Sequence, residues 1–259
     1  MTRSFTKITF QKSIHLVLIF TIVQAAFSQK NDSTQVETKK SEITVHGAFT
    51  LTNNGISVIP TFMLGKPASI FDLAIRKKRF SFEPQFRFAI QEFKPWSFIF
   101  WLRYKLLDTQ KFKMGVGAHP STVFGNTSAT VNGVSKELIT VRRFWASELT
   151  PTYFVSKNIN FGVYYLYSRG LADATKNTNF VALGGNFSNM KLGSVVLMKI
   201  SPQIYYLKMD TKNGYYVTSA FTLTKQKFPL AIQSIINKKI QSTIPSKDFV
   251  WNFSLIYSY

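Results

Sequence analysis

Hydrophobic and polar side chains alternate along most of the chain from Glu42 onward, with a period of two residues. The clearest segment is 80–90, FSFEPQFRFAI, in which apolar residues occupy every second position and mostly polar residues lie between them. Successive side chains of a β-strand point to opposite faces, so this segment is predicted to be a strand with one apolar and one polar face. No later segment shows a convincing helical period, and the pattern therefore predicts an all-β chain.

Twelve strands are predicted, with 10 or 14 as alternatives that keep the even count of bacterial barrels. One of them, 56–76, is counted as a single strand broken at Gly65-Lys66-Pro67, and in 95–107 the apolar face begins at Trp96. The predicted strands are 42–51, 56–76, 80–90, 95–107, 110–119, 137–155, 159–169, 178–188, 193–209, 214–225, 228–240 and 249–259.

Two architectures produce this alternation. A soluble sandwich or barrel turns its apolar face inward, whereas a transmembrane barrel turns that face toward lipid and lines its lumen with polar groups. Segments of about 10 residues match strands that cross a bilayer at a tilt. The apolar faces are rich in large aromatic residues, and the opposite faces are rich in Ser, Thr, Asn, Gln and Gly. We therefore predict a transmembrane antiparallel up-and-down β-barrel.

The connections predict the orientation, because such barrels have short periplasmic turns and longer outer loops. Segment 119–136 is rich in Ser, Thr, Asn and Gly and is predicted to be the longest outer loop. The predicted turns are 76–79, 107–110, 156–158, 189–192 and 225–227, and the other predicted loops are 52–55, 91–95, 170–177, 209–214 and 241–247.

The N-terminus predicts export from the cytoplasm. Residues 1–28 combine a basic start with the apolar run 16–27, and Ala26-Phe27-Ser28 fits a cleavage pattern that makes Gln29 the mature start. A transmembrane anchor is the alternative, but about 20 apolar residues are needed to span a bilayer and this run is shorter. The predicted organisation is a signal peptide at 1–28, a polar disordered leader at 29–41 and the barrel at 42–259.

Composition narrows the functional classes. The chain has 32 Lys+Arg against 12 Asp+Glu, a net charge of +20, which by itself would suggest nucleic acid. Only 17% of residues are charged, however, and an exported barrel is not expected to meet nucleic acid. The signal segment holds three of the basic residues and no acid, so cleavage lowers the charge to +17. The absence of Cys excludes disulfides and thiolate metal sites, and no cofactor or metal is predicted.

The segment 249–259, FVWNFSLIYSY, places its aromatic residues on one face and ends on an aromatic residue. With FSFEPQFRFAI, PWSFIFWLRYKLL and the signal peptide, it makes the chain resemble the small outer-membrane β-barrels of Bacteroidota. The resemblance implies the bacterial outer membrane as location, but it implies no activity. It also implies that the barrel-assembly machinery reads this last strand as an assembly signal. The residues that would carry the signal are Trp251, Phe253, Tyr257 and Tyr259.

The predicted polar faces carry more basic than acidic side chains, which indicates an anion-preferring lumen. The sequence thus predicts a narrow porin-like channel or binder for small anionic solutes. The alternative is a non-conducting barrel that serves as a structural or accessory subunit of an envelope complex, because narrow barrels can be plugged by their own side chains. The predicted basic lumen residues are Arg87, Arg103, Lys105, Lys111, Lys113, Arg142 and Lys199, and the predicted acidic ones are Asp72, Glu83 and Glu148.

Two further hypotheses concern the ends of the strands. Basic residues near the outer loops are candidates for contacts with lipopolysaccharide phosphates. His119, Ser121 and Asn126 faintly resemble the residues of outer-membrane phospholipases, but Pro120 intervenes and the family's flanking motif is absent. No catalytic residue is therefore assigned, and lipid hydrolysis stays a remote alternative. The candidate phosphate-binding residues are Lys176, Lys208, Lys212, Lys238, Lys239 and Lys247.

Overall fold

The computed structural model describes residues 42–131, 134–172 and 174–259, with the side chains of 126–137 left undescribed. The predicted signal peptide and leader lie outside these residues. Within them, no helix is long and apolar enough to cross a membrane.

The described chain is a closed antiparallel barrel of twelve strands, which confirms the predicted fold and strand count. Each strand pairs with its neighbours in sequence, and β1 pairs with β12 to close the sheet, so no edge strand is left unpaired. The strands are β1 (Thr44–Thr52), β2 (Ala68–Lys77), β3 (Phe80–Ala89), β4 (Pro95–Asp108), β5 (Phe112–Val131), β6 (Val134–Phe154), β7 (Ile159–Leu171), β8 (Asn177–Leu192), β9 (Val196–Met209), β10 (Lys212–Lys225), β11 (Leu230–Ser242) and β12 (Phe249–Ser258).

Most large apolar side chains of the described strands point away from the lumen and stay exposed. On β12 they occupy every second position from Phe249 to Tyr257, and on β8 Leu183 is 58% exposed. A soluble protein rarely leaves so wide an apolar surface open, whereas a transmembrane barrel presents it to lipid. These outward side chains form an apolar belt around the barrel. About 10 strand residues that rise about 3.3 Å each at a tilt of about 40° cross roughly 25 Å, the height of the apolar band of an outer-membrane barrel.

The two ends of the barrel differ. One end, called here the turn end, carries the short connections 78–79, 109–111, 155–158, 193–195 and 226–229. The other, called the loop end, carries the 15-residue connection 53–67 and the long β5–β6 hairpin. Short turns on one side and longer elements on the other are typical of periplasmic and external faces, respectively.

Three sequence predictions about the loop end are wrong. Segment 119–136 is not a loop, because β5 and β6 stay paired from His119 as far as Val131 and Val134; its Thr and Val residues suit a strand. Segment 56–67 is not part of a strand, because Gly55 bonds to Leu64 and Lys66 and closes a compact loop.

The third error concerns Trp96. A bulge between β3 and β4, at Arg87 and Phe88, shifts the register, so that the indole is buried instead of facing lipid. A β-bulge adds one unpaired residue and thereby re-aims a side chain.

Candidate functional site: the lumen

The β1–β2 connection, 53–67, enters the barrel at the loop end; we call it the inner loop. Its Phe62 ring lies 4.9 Å from Phe144 of β6, and the Phe62 carbonyl accepts a hydrogen bond of 2.8 Å from the Trp96 indole. Thr61 Oγ1 lies 3.8 Å from the Met209 sulfur at the end of β9. The inner loop therefore touches the walls at β4, β6 and β9.

Aromatic side chains fill the adjoining part of the lumen. The rings of Phe180 and Tyr205 lie 4.9 Å apart, and Tyr205 stacks on Tyr216 at the same distance. Both tyrosines are only 1% exposed, and Asn237 donates a 2.7 Å hydrogen bond to the Tyr205 hydroxyl. These inward side chains partly fill the loop-end half of the lumen, where two cavities of about 410 Å³ each remain beside the inner loop.

An ion cluster centred on Arg103 lies on the turn-end side of these aromatic residues. Arg103 Nε donates to Glu148 Oε1 at 2.5 Å, Nη1 pairs with Glu83, and the Tyr164 hydroxyl donates to Glu148 Oε2 at 2.8 Å. Gly117 makes room for this cluster, because a Cβ there would lie 2.8 Å from Glu148 Oε1. Arg103, one of the predicted lumen cations, thus pairs with two of the three predicted lumen acids.

Arg87 and the third acid, Asp72, lie on neighbouring strands. Arg87 Nη2 donates to Gln85 Oε1 at 2.9 Å, and its guanidinium lies 5.3 Å from the centre of the Trp96 ring. Arg87 Nε and Asp72 Oδ1 are both buried without a hydrogen-bond partner. The cation and the anion share one region of the lumen without forming a direct salt bridge.

A cavity of about 490 Å³ opens at the turn end. Six basic and three acidic side chains line it, so the lining carries a net positive charge. Lys105 and Lys113 share Asp108, each at 3.3 Å, and both ammonium groups stay about half exposed. The charged lining residues are Arg76, Lys78, Arg79, Arg103, Lys105, Lys113, Glu83, Asp108 and Glu148.

Four of these residues were not among the predicted site residues, and one of the four is Asp108, at the end of β4. Arg76, Lys78 and Arg79 belong to the run Arg76-Lys77-Lys78-Arg79, which the sequence placed in a periplasmic turn. This run of four basic residues was the sequence signal that could have identified them. A basic turn at the end of a basic lumen adds to the positive electrostatic potential of that lumen.

The other predicted lumen cations are dispersed. Arg142 lies near the loop end with its guanidinium 5.6 Å from the Phe62 ring centre, and Lys199 stands alone on the inward face of β9. Lys111 lies in the connection 109–111 and not within a strand. The structure therefore gathers charge on β2–β6 and leaves the β7–β12 wall mainly uncharged.

His119 and Ser121 both face inward from β5 and are buried. The His119 ring packs edge-on against Trp101 at 4.1 Å, and its Nδ1 has no hydrogen-bond partner. The side chain of Asn126 is not among those described. A nucleophile needs a base within hydrogen-bond reach and a third group that orients the base, and these contacts supply neither. Within the described residues, no group of three or more His, Asp or Glu side chains could hold a metal ion.

The predicted external lysines differ in their contacts. Lys239 turns inward and binds Asp248 at 2.6 Å, and this hydrogen bond holds the pKa of the Asp248 carboxyl below its usual value. Lys208 and Lys238 point outward from β9 and β11. Lys176, Lys212 and Lys247 lie at the loop end, in connections or at a strand start.

The predicted assembly residues lie on the outward face of β12, and Tyr259 follows the strand. The backbone of Tyr259 exchanges two hydrogen bonds with Gly47 of β1, and its ring covers that glycine. Gly47 is needed there, because a Cβ would lie 2.2 Å from the ring. These contacts help to close the barrel; reading by the assembly machinery stays a prediction.

Solved structures of outer-membrane proteins are similar to this chain at low sequence identity. No protein-family model and no curated protein matches the sequence. The KdgM porin in complex with disordered oligogalacturonate is similar at 10% identity and a TM-score of 0.49, over 83% of this chain and 98% of that chain. The COG4313 outer membrane channel from Pseudomonas putida F1 is similar at 9% identity and a TM-score of 0.49, over 89% and 100%. OmpT, an outer membrane protein of Vibrio cholerae, is similar at 9% identity and a TM-score of 0.40, over 86% and 100%. These likenesses concern the barrel fold alone.

Proposed function

We propose that this protein is an outer-membrane β-barrel that binds small anionic solutes in the turn-end cavity. The observation that carries the proposal is the cavity lining, with six basic against three acidic side chains. Low-dielectric walls focus the field of such groups, and a volume of about 490 Å³ lies in the range of small-molecule sites. Carboxylated or phosphorylated solutes fit this chemistry.

Passage of a solute across the barrel requires the inner loop to move. Phe62, Tyr205 and Tyr216 partly fill the loop-end half of the lumen, and the inner loop lines both cavities that remain there. The proposed channel is therefore gated, with its anion site on the turn-end side of the gate. The same filling favours the second candidate, a non-conducting barrel that serves as an accessory subunit.

The proposal includes the route to the membrane. Residues 1–28 direct export and are removed by cleavage between Ser28 and Gln29, and the barrel-assembly machinery then inserts the chain through its last strand. Outer-membrane lipid is the surrounding partner.

Planar-bilayer recording tests the channel function. The wild-type barrel should show openings that select anions, and the double change Lys105→Glu and Lys113→Glu should shift the reversal potential toward cations. Lys157→Glu with Lys227→Glu is the matched control, because both lysines lie in turn-end connections outside the cavity lining. Cation preference in the wild type would contradict an anion site. A barrel that never opens would instead favour the accessory role.

A further inference from the structure

The outward face of β6–β9 carries a basic patch at the loop end. Arg143, Arg169 and Lys208 are all exposed there, one on each of β6, β7 and β9. In the register of the sheet, Arg169 lies opposite Trp145 and Asn177, and Lys208 lies opposite Asn179. The patch therefore spans three inter-strand spacings, about 15 Å.

On each of these strands, an aromatic side chain lies two residues from the cation on the same face, on the side away from the loop end. Moving toward the loop end, Trp145 precedes Arg143 on β6, and Tyr167 precedes Arg169 on β7. Tyr206 precedes Lys208 on β9 in the same way. Aromatic girdles mark the boundary between hydrocarbon and headgroups, so the three cations stand at headgroup level.

Two asparagines on β8 complete the patch. The Tyr167 hydroxyl donates to Asn177 Oδ1 at 2.8 Å, and the Tyr165 hydroxyl donates to Asn179 Oδ1 at 3.0 Å. With their oxygens occupied, both carboxamides offer N–H groups outward. The patch thus presents amide and cationic donors.

No carboxylate opposes these cations among the described side chains on the outward faces of β6–β9. The nearby Asp210 accepts hydrogen bonds from the backbone amides of Lys176 and Asn177, at 3.1 and 2.8 Å. The described outward positions of β1–β5 at the same end carry no Lys or Arg. On the outward faces of the described strands, the basic side chains of this end therefore lie on β6, β7 and β9, and on β11, where Lys238 also points outward.

We propose that this patch binds the phosphorylated headgroup of an outer-leaflet lipid. Arginine forks suit phosphate oxygens, lysine adds a point charge, and the apolar belt directly below accommodates acyl chains. The site is independent of the lumen, so it does not rest on the proposed solute function.

Native mass spectrometry of the full chain in non-ionic detergent tests the site, with diphosphoryl lipid A as the probe. The triple variant Arg143→Gln, Arg169→Gln and Lys208→Gln should weaken binding at least about tenfold, since each surface cation contributes to the attraction of anionic lipid. The matched control is Lys157→Gln, Lys191→Gln and Lys227→Gln, which removes three exposed charges at the turn end and should bind within about twofold of wild type. A β-sheet circular dichroism spectrum establishes that each variant is folded.

Two further arms identify the ligand. Dephosphorylated lipid A should bind no better to the wild type than to the triple variant, and millimolar inorganic phosphate should not displace lipid A. Equal binding of lipid A by the triple variant, or tight binding of the dephosphorylated lipid, would overturn the proposal. Displacement by inorganic phosphate would make the patch a site for free anions instead.

Discussion

At the scale of single residues, Arg103 organises the centre of the lumen. It binds carboxylates from β3 and β6 while its guanidinium lies 4.1 Å from the Trp101 ring centre. Glu148 is buried on the inward face, where Arg103 and the Tyr164 hydroxyl are its hydrogen-bond partners. A buried ion pair adds little net stability, but removal of one partner leaves a costly uncompensated charge.

Arg103→Leu is therefore expected to lower the free energy of unfolding by about 3 kcal/mol. Urea-induced unfolding in phosphatidylcholine vesicles, followed by tryptophan fluorescence, measures this loss. Lys199→Leu is the control, because Lys199 is exposed and forms no described ion pair. Adding Glu148→Gln to Arg103→Leu should recover part of the loss, and no recovery would argue against charge as its cause.

At the scale of elements, the inner loop decides whether the lumen is open. Its middle, 60–64, contacts the wall through one indole hydrogen bond, ring contacts with Phe144 and Arg142 and one sulfur contact at Met209, whereas its two ends are hydrogen-bonded to β12 and to Ile90. Segments held by few contacts belong to the low-stability end of a fold and can move without unfolding the rest. The inner loop is thus suited to act as a gate.

A disulfide across the gate tests this role, because the chain has no native Cys. The pair Thr61→Cys and Met209→Cys replaces two side chains whose Oγ1 and Sδ atoms lie 3.8 Å apart. Oxidation should abolish channel openings, and dithiothreitol should restore them. Thr61→Cys alone should show no redox effect. Openings that persist after quantitative crosslinking would contradict gating by this loop.

At the scale of the whole barrel, the outer surface determines insertion into a membrane. The apolar belt surrounds the sheet, whereas the inward faces carry the polar and charged groups. Alternate residues of one strand therefore need opposite polarity: apolar where they face lipid and polar where they face the lumen.

Leu183→Arg should lower the stability of the barrel in vesicles by about 2–4 kcal/mol, the cost of a cation near the bilayer midplane. Leu183 lies on the outward face of β8, opposite Val163 and Ile204. Gln203→Arg is the comparison. Gln203 is the residue before Ile204 on β9, and its side chain faces inward. An equal or larger loss from Gln203→Arg would contradict the assignment of the two faces.

Much of the barrel could be predicted from the pattern alone. The positions of 80–90 and 249–259 required only the period of two, because a strand exposes alternate residues to lipid and lumen. The turn-end connections were also close to prediction. The candidate site was predicted only in part: Arg103, Glu83 and Glu148 were expected to face inward, but their mutual binding depends on Gly117 and on registers that no local pattern specifies.

The sequence by itself determined the twelve alternating strands, the aromatic outer surface and the basic excess of the inward faces, because each follows from residue type and local period. Only the tertiary structure decided where Phe62 and Trp96 point. The apolar residues of 56–67 are compatible either with a face toward lipid or with packing inside the lumen. The hydrogen bonds of Gly55 close this segment into a compact loop that enters the lumen. Closure of the barrel also decided which cations are neutralised, since pairing of Arg103 with Glu148 requires β4 and β6 to stand on either side of β5.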